Sequence, residues 1–337
     1  MPVMTGRTSR LTFSNVGRSV TRFLLFRRAF ARHRCVPPGA AAVLLFVVVF
    51  APTAHAQDIE PRAYSNAPIG VNFLIGGYAY TRGGVAFDSA LPIKNPQLET
   101  SSAVLAYGRV LDIWGKSAKF DVVMPYTWLS GTAQFIGQPV ERVVHGLTDP
   151  RLRLSVNLYG APAMNMEEFK AYEQDLIIGT SLAVTPPVGQ YDPARLVNLG
   201  TNRWSIKPET GASKALGPLT LEVQTGVTIY TDNTNFLSGR ARSQNPIYSV
   251  QGHAIYNFGW GIWGSVDATY FTGGNTTING TENDDLQKNW RLGATLALPL
   301  SLNYSVKLYA SRGVSARTGN NYDLVGIALQ YRWGGGL

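Results

Sequence analysis

The sequence predicts an all-β fold, a single antiparallel up-and-down transmembrane β-barrel of about 12 strands with a short periplasmic helix. Three observations lead to this prediction. Apolar and polar residues alternate at period two from Val71 to Trp333, the alternating segments are about ten residues long, and short connections alternate with long ones. About ten tilted residues are what a strand needs to cross a bilayer.

The alternation is clearest in the last third of the chain. In 302–310 the even-numbered residues are Leu, Tyr, Val, Leu and Ala, whereas the odd-numbered ones include Asn303, Ser305 and Lys307. A soluble β-sandwich also alternates, but its strands average about five or six residues and its polar face meets water. In a membrane barrel the apolar face contacts lipid and the polar face lines the lumen. We therefore expect an enclosed polar interior.

The alternation predicts twelve strands that are joined in turn by short and long connections. The strands are 69–80, 102–114, 118–128, 149–160, 174–185, 203–214, 218–230, 247–257, 261–271, 288–298, 301–311 and 322–333. Tight turns are expected at 115–116, 217–218, 258–259 and 299–300, and long loops at 81–101, 129–148, 186–202, 231–246, 272–287 and 312–321. With a periplasmic amino terminus, the short connections fall inside and the long ones outside. The exception is 161–173, where Met164 to Gln174 predicts the short helix.

The first 56 residues are typical of a signal peptide. Eight arginines precede the apolar run Ala40–Phe50, and Ala54-His55-Ala56 supplies a small-x-small cleavage site. The run is too short for a membrane anchor, which needs about 18 to 20 residues. We expect 1–56 to be cleaved and 57–337 to form the barrel domain. Cleavage leaves 22 Lys+Arg against 21 Asp+Glu and removes the single cysteine, Cys35, so no nucleic-acid partner is expected.

Tryptophans lie close to the predicted strand ends, where indole rings prefer the headgroup level. The predicted outer girdle is Trp128, Trp204 and Trp290, and the predicted inner girdle is Trp114, Trp260, Trp263 and Trp333. The alternative explanation is the general preference of aromatic residues for strands.

Several motifs resemble one bacterial family. They are the run Val184–Pro193, its continuation through Asn198–Trp204 to Lys207-Pro208-Glu209, and the shorter matches at 146–150, 124–126 and 251–253. These motifs resemble the putative MetA-pathway of phenol degradation proteins, also described as transporters, and the likeness covers nearly the whole mature chain. The resemblance implies an outer-membrane channel, implies an aromatic substrate only weakly, and carries over no catalytic residue.

Charged residues recur on the face predicted to line the lumen. The candidate lumen-lining or selectivity residues are Lys119, Asp121, Arg151, Arg153, Lys207, Glu209, Glu222, His253, Asp267 and Arg291. Residues two apart on a strand share a face, so we expect Lys119 to pair with Asp121, Lys207 with Glu209, and the three arginines to face Glu222 and Asp267. Such a set either selects permeants or forms an electrostatic lattice that supports the wall.

The stretch 186–209 begins in a long loop and continues down a strand. Its candidate constriction residues are Gln190, Tyr191, Asp192, Asn198, Asn202 and Arg203. The loop either folds toward the lumen as a constriction or caps the mouth against its neighbours. Pro125 and Pro208 lie within strands, where proline removes a ladder hydrogen bond, so we expect a local opening near one of them.

An enzymatic function is not expected. His253 has Ser249 and Ser265 nearby in sequence, but no carboxylate is evident to orient a His–Ser pair, and Asp284-Asp285 reads as a solvated acidic loop rather than a metal site. No cofactor is expected. The sequence thus favours an outer-membrane channel for small, hydrophobic or aromatic compounds, passive or gated by a loop. The alternative is a structural or adhesive barrel with a blocked lumen and functional extracellular loops. The expected partners are the outer-membrane lipid bilayer, a small-molecule permeant and the barrel-assembly machinery.

Overall fold

The computed structural model describes residues 59–84, 93–135, 137–318 and 321–337. The predicted signal peptide and its cleavage site lie outside the described residues, as do parts of the predicted loops 81–101, 129–148 and 312–321.

The described residues form seventeen strands and one short helix. These are β1 (Val71–Gly84), β2 (Ile93–Ile113), β3 (Lys116–Phe135), β4 (Gln138–Leu147), β5 (Arg151–Tyr159), α1 (Met166–Lys170), β6 (Leu176–Thr185), β7 (Ser205–Leu216), β8 (Leu219–Tyr230), β9 (Asn233–Phe236), β10 (Arg240–Gln244), β11 (Ile247–Gly259), β12 (Ile262–Gly273), β13 (Thr276–Ile278), β14 (Thr281–Glu282), β15 (Gln287–Pro299), β16 (Tyr304–Ala316) and β17 (Asn321–Gly334).

Twelve of these strands close into an antiparallel barrel, which confirms the predicted fold class. Their order around the wall is β1, β2, β3, β5, β6, β7, β8, β11, β12, β15, β16 and β17. The barrel closes where β17 pairs with β1, from Val71 opposite Gly334 to Gly84 opposite Asn321. Closure leaves no free edge among the wall strands, so backbone groups are paired within the wall, as a bilayer requires.

The two faces of the wall differ in polarity as the alternation predicts. On β15, Trp290 and Leu292 are each 48% exposed on the outer face, whereas Asn289 and Arg291 are fully buried on the inner face. The strands β5, β8 and β17 repeat this pattern. The apolar side chains therefore lie outside and the polar ones inside, the reverse of a soluble protein.

One end of the barrel has tight connections, and we call it the short-turn end. The turn between β2 and β3 consists of Trp114 and Gly115, both with positive φ, 54° and 71°. Two residues of this kind form a type I′ hairpin turn, which matches the strand twist. The helix α1 lies at the same end, and its Asn165 N-cap and Glu168 form a reciprocal capping box. It spans Met166–Lys170, shorter than the predicted 164–174. No helix among the described residues is long and apolar enough to cross a membrane.

The opposite end, which we call the long-loop end, contains strands that the sequence did not predict. β2 and β3 run for 21 and 20 residues, and β3 turns back into β4, so the predicted loops 81–101 and 129–148 are largely strand. The apolar alternation stops there because the outward residues Ser130, Thr132 and Gln134 are polar, but the hairpin hydrogen bonds continue.

A separate four-stranded sheet, in the order β14, β13, β10, β9, forms from the predicted loops 231–246 and 272–287. Asp285, expected to be solvated, is 5% exposed and accepts hydrogen bonds from the amide and hydroxyl of Thr276 at 2.8 and 2.6 Å. Asp284 is exposed and pairs with Arg317 at 2.5 Å. Asp285 therefore joins β13 to the chain that leads into β15.

Candidate functional site

The chain before β1 runs inside the barrel rather than outside it. We call residues 59–70 the N-terminal segment. Its Glu60 contacts β5, its Arg62 amide donates to Glu222 on β8 at 2.7 Å, and its Tyr64 carbonyl accepts from Asn157 on β5 at 3.1 Å. A Cβ on Gly293 of β15 would lie 2.7 Å from Ile59 Cδ1. Because β5 and β15 are six strands apart in a wall of twelve, the segment crosses the lumen from one side to the other.

The Glu60 carboxylate lies against two arginines of the wall. Arg151 Nη2 is 2.5 Å from Glu60 Oε1, and Arg153 Nη1 pairs with Oε2. Arg153 also donates through Nε to Asp121 on β3 at 3.0 Å, and Arg151 lies 3.9 Å from the same carboxylate. Burial alone would raise the pKa of Glu60, but Arg153 and nearby lysines outweigh it and hold the pKa below the ordinary value of 4.5. Glu60 is therefore an anion at neutral pH.

Two glycines of the wall make room for the Tyr64 ring. A Cβ on Gly179 of β6 would lie 2.3 Å from Tyr64 Cδ1, and one on Gly211 of β7 would lie 2.6 Å from Cε2. The ring is 1% exposed and packs with Ala161 and Ile177. Burial raises the pKa of the Tyr64 phenol. The segment is thus held by an apolar contact as well as by charge.

The charge pairings differ in part from those predicted. Lys207 and Glu209 pair at 2.6 Å, but Asp121 pairs with the arginines of β5 rather than with Lys119. The expectation that Arg151 and Arg153 face Glu222 and Asp267 is wrong. Their main partner is Glu60, which the sequence analysis did not place in the lumen.

Arg291, the third arginine of that expectation, is also paired differently. Its guanidinium lies 3.7 Å from the Tyr322 ring centroid, and it donates to the Tyr322 carbonyl at 3.0 Å and to Ser311 Oγ at 2.8 Å. It therefore joins β15 to β16 and β17 and is fully buried, so it supports the wall.

His253 has a carboxylate partner that the sequence analysis missed. Its Nδ1 lies 2.7 Å from Asp267 Oδ1, and Ser265 Oγ donates to Asp267 Oδ2 at 3.0 Å. The imidazole Nε2 faces Gln224 at 3.4 Å. Activating a serine requires a hydrogen bond between its hydroxyl and the imidazole, whereas here both groups bind the same carboxylate. The β11–β12 register places His253 opposite Asp267, whereas the expected turn at 258–259 would have placed it opposite Gly264.

The loop 186–204 is fixed by one carboxylate in the break between β4 and β5. Asp149 Oδ1 accepts from the Gly189 amide at 2.8 Å, and Oδ2 accepts from the amide and hydroxyl of Thr201, both at 2.7 Å. Two stretches that carry the family resemblance, 146–150 and 184–204, thus meet in space. Asp149 is not among the site residues predicted from the sequence.

The loop packs against the inner face of the barrel and also against the neighbouring sheet. Val197 and Leu199 lie on the buried cluster formed by Leu98, Leu129 and Val144 of β2, β3 and β4. The Gln190 amide donates to the Leu147 carbonyl, and the Gln190 carbonyl accepts from the Gly200 amide. The Asp192 amide donates to the Asn198 side chain, which donates back to the Asp192 carbonyl. Asn233 donates to the Tyr191 hydroxyl and accepts from Asn202, while Arg203 lies over the Tyr230 ring and donates to Gln244. The loop therefore contacts both the buried cluster of β2, β3 and β4 and the sheet that contains β9 and β10.

The wall ladder is interrupted at both prolines. β3 pairs with β4 as far as Tyr126 opposite Leu147 and with β5 from Val123 opposite Arg151, so Met124 and Pro125 face the break at 148–150. Thr148 donates to the Pro125 carbonyl at 3.1 Å across it.

Between β7 and β8 the ladder skips Lys207 and Pro208, resuming at Glu209 opposite Gly226. The pairing of strands is therefore broken beside both prolines. An unbroken ladder would have contradicted the expected local opening, so that expectation is not contradicted.

Within the part of the chain that the structure describes, no group of three or more His, Cys, Asp or Glu side chains could hold a metal ion. The described site is therefore an ionic and hydrogen-bonded lumen in which an internal segment and a loop approach from opposite ends.

Comparisons with known proteins agree with this architecture. The solved COG4313 outer membrane channel from Pseudomonas putida F1 is similar with a TM-score of 0.68 and 18% identity over 82% of this chain and 100% of that chain. The transport unit of the autotransporter AIDA-I from Escherichia coli gives a TM-score of 0.47 and 9% identity over 82% of this chain and 93% of that one. The first of these likenesses concerns the fold. No curated protein matches the chain in sequence. The model of the family described as "Putative MetA-pathway of phenol degradation" matches residues 86–333, and the chain belongs to that family.

Proposed function

We propose that the protein is an outer-membrane channel for small molecules, with its long-loop end outside and its short-turn end in the periplasm. The observation that carries this proposal is the inverted polarity of a closed wall. Apolar side chains such as Leu292 and Val223 are about half exposed outward, while charged ones such as Arg291 and Glu222 are buried inward. This polarity suits a polar passage through lipid. The similar solved barrel from Pseudomonas putida F1 bears the name of an outer membrane channel.

The channel is gated from both ends in this proposal. The N-terminal segment crosses the lumen between β5 and β15, and the loop 186–204 packs on the inner face of β2, β3 and β4. Twelve strands form a barrel between the filled eight-stranded and the open sixteen-stranded kinds. In a lumen of that width, one crossing segment is enough to narrow the passage.

In this proposal the chain reaches the outer membrane in two steps. Signal peptidase removes residues 1–56, and the barrel-assembly machinery then inserts the mature chain. Cleavage after Ala56 places the new amino terminus two residues before Ile59, close to the part of the segment held in the lumen. Amino-terminal sequencing of protein purified from outer membranes tests this step. A chain that begins well before Gln57 or after Glu60 would contradict it.

Planar-bilayer recording of the refolded mature chain tests the channel. Discrete openings support the proposal, and heat-denatured protein serves as the control. A folded barrel that inserts and stays silent at all voltages would overturn it. Liposome swelling with aromatic acids, phenols, alkanes and sugars then ranks the permeants.

The ladder interruptions favour a second exit for hydrophobic permeants, sideways through the wall. Pro125 and Pro208 each lie where inter-strand pairing is missing, and Pro208 faces outward. A solute entering from the long-loop end would reach the Pro125 break beside the loop 186–204, which Asp149 fixes at that point. Retention of an alkane in the bilayer, rather than its release into the vesicle interior, distinguishes this exit from axial passage.

The alternative function is a structural barrel whose lumen stays closed. The contacts of Glu60, Arg62 and Tyr64 with β5, β6, β7 and β8 favour this alternative, because they leave the segment fixed. A silent mature chain that becomes conductive only when these contacts are removed would support it.

A further inference from the structure

Glu60, Arg151, Arg153 and Asp121 form the arginine cluster, and of these four residues only Glu60 does not belong to the wall. Arg151, Arg153 and Asp121 are carried by β5 and β3, whereas Glu60 is brought there by the N-terminal segment. Each carboxylate oxygen of Glu60 has its own guanidinium partner, Arg151 on Oε1 and Arg153 on Oε2. This is the arrangement with which two arginines hold a free carboxylate.

The arginines also contact a carboxylate of the wall. Arg153 Nε donates to Asp121 at 3.0 Å, so a wall residue orients Arg153, and Arg151 lies 3.9 Å from the same carboxylate. Lys207 and Lys307, from β7 and β16, also act on Glu60 and lower its pKa. If the segment withdraws, these cations remain gathered at one level of the lumen.

We propose that Arg151 and Arg153 form a binding site for the carboxylate of a small organic acid, and that Glu60 occupies this site when no such acid is present. The ligand and the segment then exclude each other, and binding of the acid frees the segment from β5. This inference rests on the proposed channel function for its physiological role, since it assigns a class of permeant to that channel.

A monovalent carboxylate fits better than a phosphate. The two guanidinium groups take one oxygen each from a planar acceptor. The Asp121 carboxylate beside them repels a dianion more strongly than a monoanion. Phosphate is therefore expected to compete weakly.

The variant Glu60→Ala tests the site with acetate as the probe. The substitution removes the two carbons and two oxygens that correspond to acetate and leaves the rest of the chain intact. Calorimetric titration of the refolded mature chain is expected to show acetate binding to Glu60→Ala at least about tenfold tighter than to the unaltered protein. Acetamide, which has the same shape without charge, is expected to bind at least about tenfold more weakly than acetate. Glu141→Ala, which removes an exposed carboxylate on β4, is the control and should bind acetate no better than the unaltered protein.

Equal binding of acetate to Glu60→Ala and to the unaltered protein, or equal binding of acetate and acetamide, would overturn the proposal. If Glu60→Ala does not fold, the isosteric variant Glu60→Gln replaces it. Acetate should then increase trypsin cleavage after Arg62 in Glu60→Gln and acetamide should not, and equal cleavage with both would overturn the proposal. Neither readout requires conductance. A silent barrel that binds acetate therefore refutes only the channel, and a conducting barrel that does not bind acetate refutes only this site.

Discussion

At the scale of single residues, two glycines decide whether the N-terminal segment can lie in the lumen. Gly179 and Gly211 face inward from neighbouring strands, and the Tyr64 ring occupies the volume that their side chains would fill. Glycine weakens a strand interior. Its presence at both positions is explained by the close approach of the ring.

The variant Gly179→Val is expected to displace Tyr64. A valine side chain would overlap the Tyr64 ring, and overpacking of this kind costs roughly 1 to 3 kcal/mol. The overlap is relieved if the N-terminal segment leaves the lumen, and the wall strands can then stay paired. Trypsin should then cleave after Arg62, whose amide is bonded to Glu222 in the unaltered protein. Gly108→Ala is the matched control, because a Cβ there has its nearest neighbours at 3.8 Å. Protection of Arg62 in Gly179→Val would show that the ring contact does not hold the segment.

Removal of the Asp149 carboxylate should loosen the loop 186–204. Asp149→Ala deletes three hydrogen bonds, from the Gly189 amide and from the amide and hydroxyl of Thr201. Leaving such donors unsatisfied costs about 1 to 3 kcal/mol. Hydrogen exchange of the Gly189 and Thr201 amides should accelerate, while Asp232→Ala, at an exposed position near the same end, should leave it unchanged. Unchanged exchange in Asp149→Ala would mean that the packing of Val197 and Leu199 alone fixes the loop.

The pH dependence of the segment follows from Glu60. Its folded pKa is below the ordinary 4.5, so its stabilising contribution is fully present above about pH 5 and is lost as the pH falls through the lower folded value. Trypsin is inactive in acid, so the measurement is pepsin cleavage of the segment between pH 2 and 5, normalised at each pH to pepsin cleavage of an unfolded reference peptide. We expect protection at pH 5 and exposure in the acidic part of the range. Glu60→Gln should remove the pH dependence of the protection, and exposure already at pH 5 in the unaltered protein would contradict the assignment.

The site residues show what the sequence can and cannot specify. Alternation places Arg151, Glu222 and Asp267 on the inner face, but it gives no partner for them. The partner of Arg151 is Glu60, 91 residues earlier in a stretch without strand periodicity. The contact of His253 with Asp267 could not be predicted from the expected turn at 258–259, which would place His253 opposite Gly264. The observed turn is Trp260-Gly261 and the register shifts between Asn257 and Gly259.

At the scale of secondary-structure elements, the wall strands are predictable and their extensions are not. The hydrocarbon core requires apolar residues at every second position, which marks the twelve strands. Beyond the core, β4 and the sheet of β9, β10, β13 and β14 lack this continuous apolar alternation, so their sequences indicate loops rather than strands. The interruption at Pro125 has a related cause, because β3 changes its partner from β4 to β5 at that residue.

Restoring the missing donor at Pro208 should close the second interruption. Pro208→Val supplies a backbone N–H and a residue favoured in strands. One added hydrogen bond is worth about 1 kcal/mol, so thermal unfolding should shift upward. If hydrophobic solutes leave through this part of the wall, their uptake should fall while ion conductance is retained. Pro139→Val in the exposed hairpin strand β4 is the control. Unchanged alkane uptake in a more stable Pro208→Val barrel would argue against an exit at β7 and β8.

At the scale of the whole molecule, the position of the barrel in the bilayer follows from which tryptophans meet lipid. Trp114 and Trp260 are 92% and 94% exposed at the short-turn end, and Trp290 is half exposed toward the long-loop end. Trp263, predicted to belong to the inner girdle, differs from them. It shares a face with the inward residue Ser265, and the Arg62 guanidinium lies 5.2 Å from its ring centroid.

Variants that retain one tryptophan each, with phenylalanine at the other positions, test this arrangement in vesicles of brominated lipid. Fluorescence of Trp114, Trp260 and Trp290 should be quenched most by bromine near the headgroups, because their rings lie at the two ends of the apolar band. Trp263 should resist lipid bromine at every depth and respond instead to Arg62→Ala, which removes the cation above its ring. Quenching of Trp263 equal to that of Trp260 would place it in the girdle and remove the segment from the lumen, while weak quenching of all four would contradict a barrel immersed in lipid.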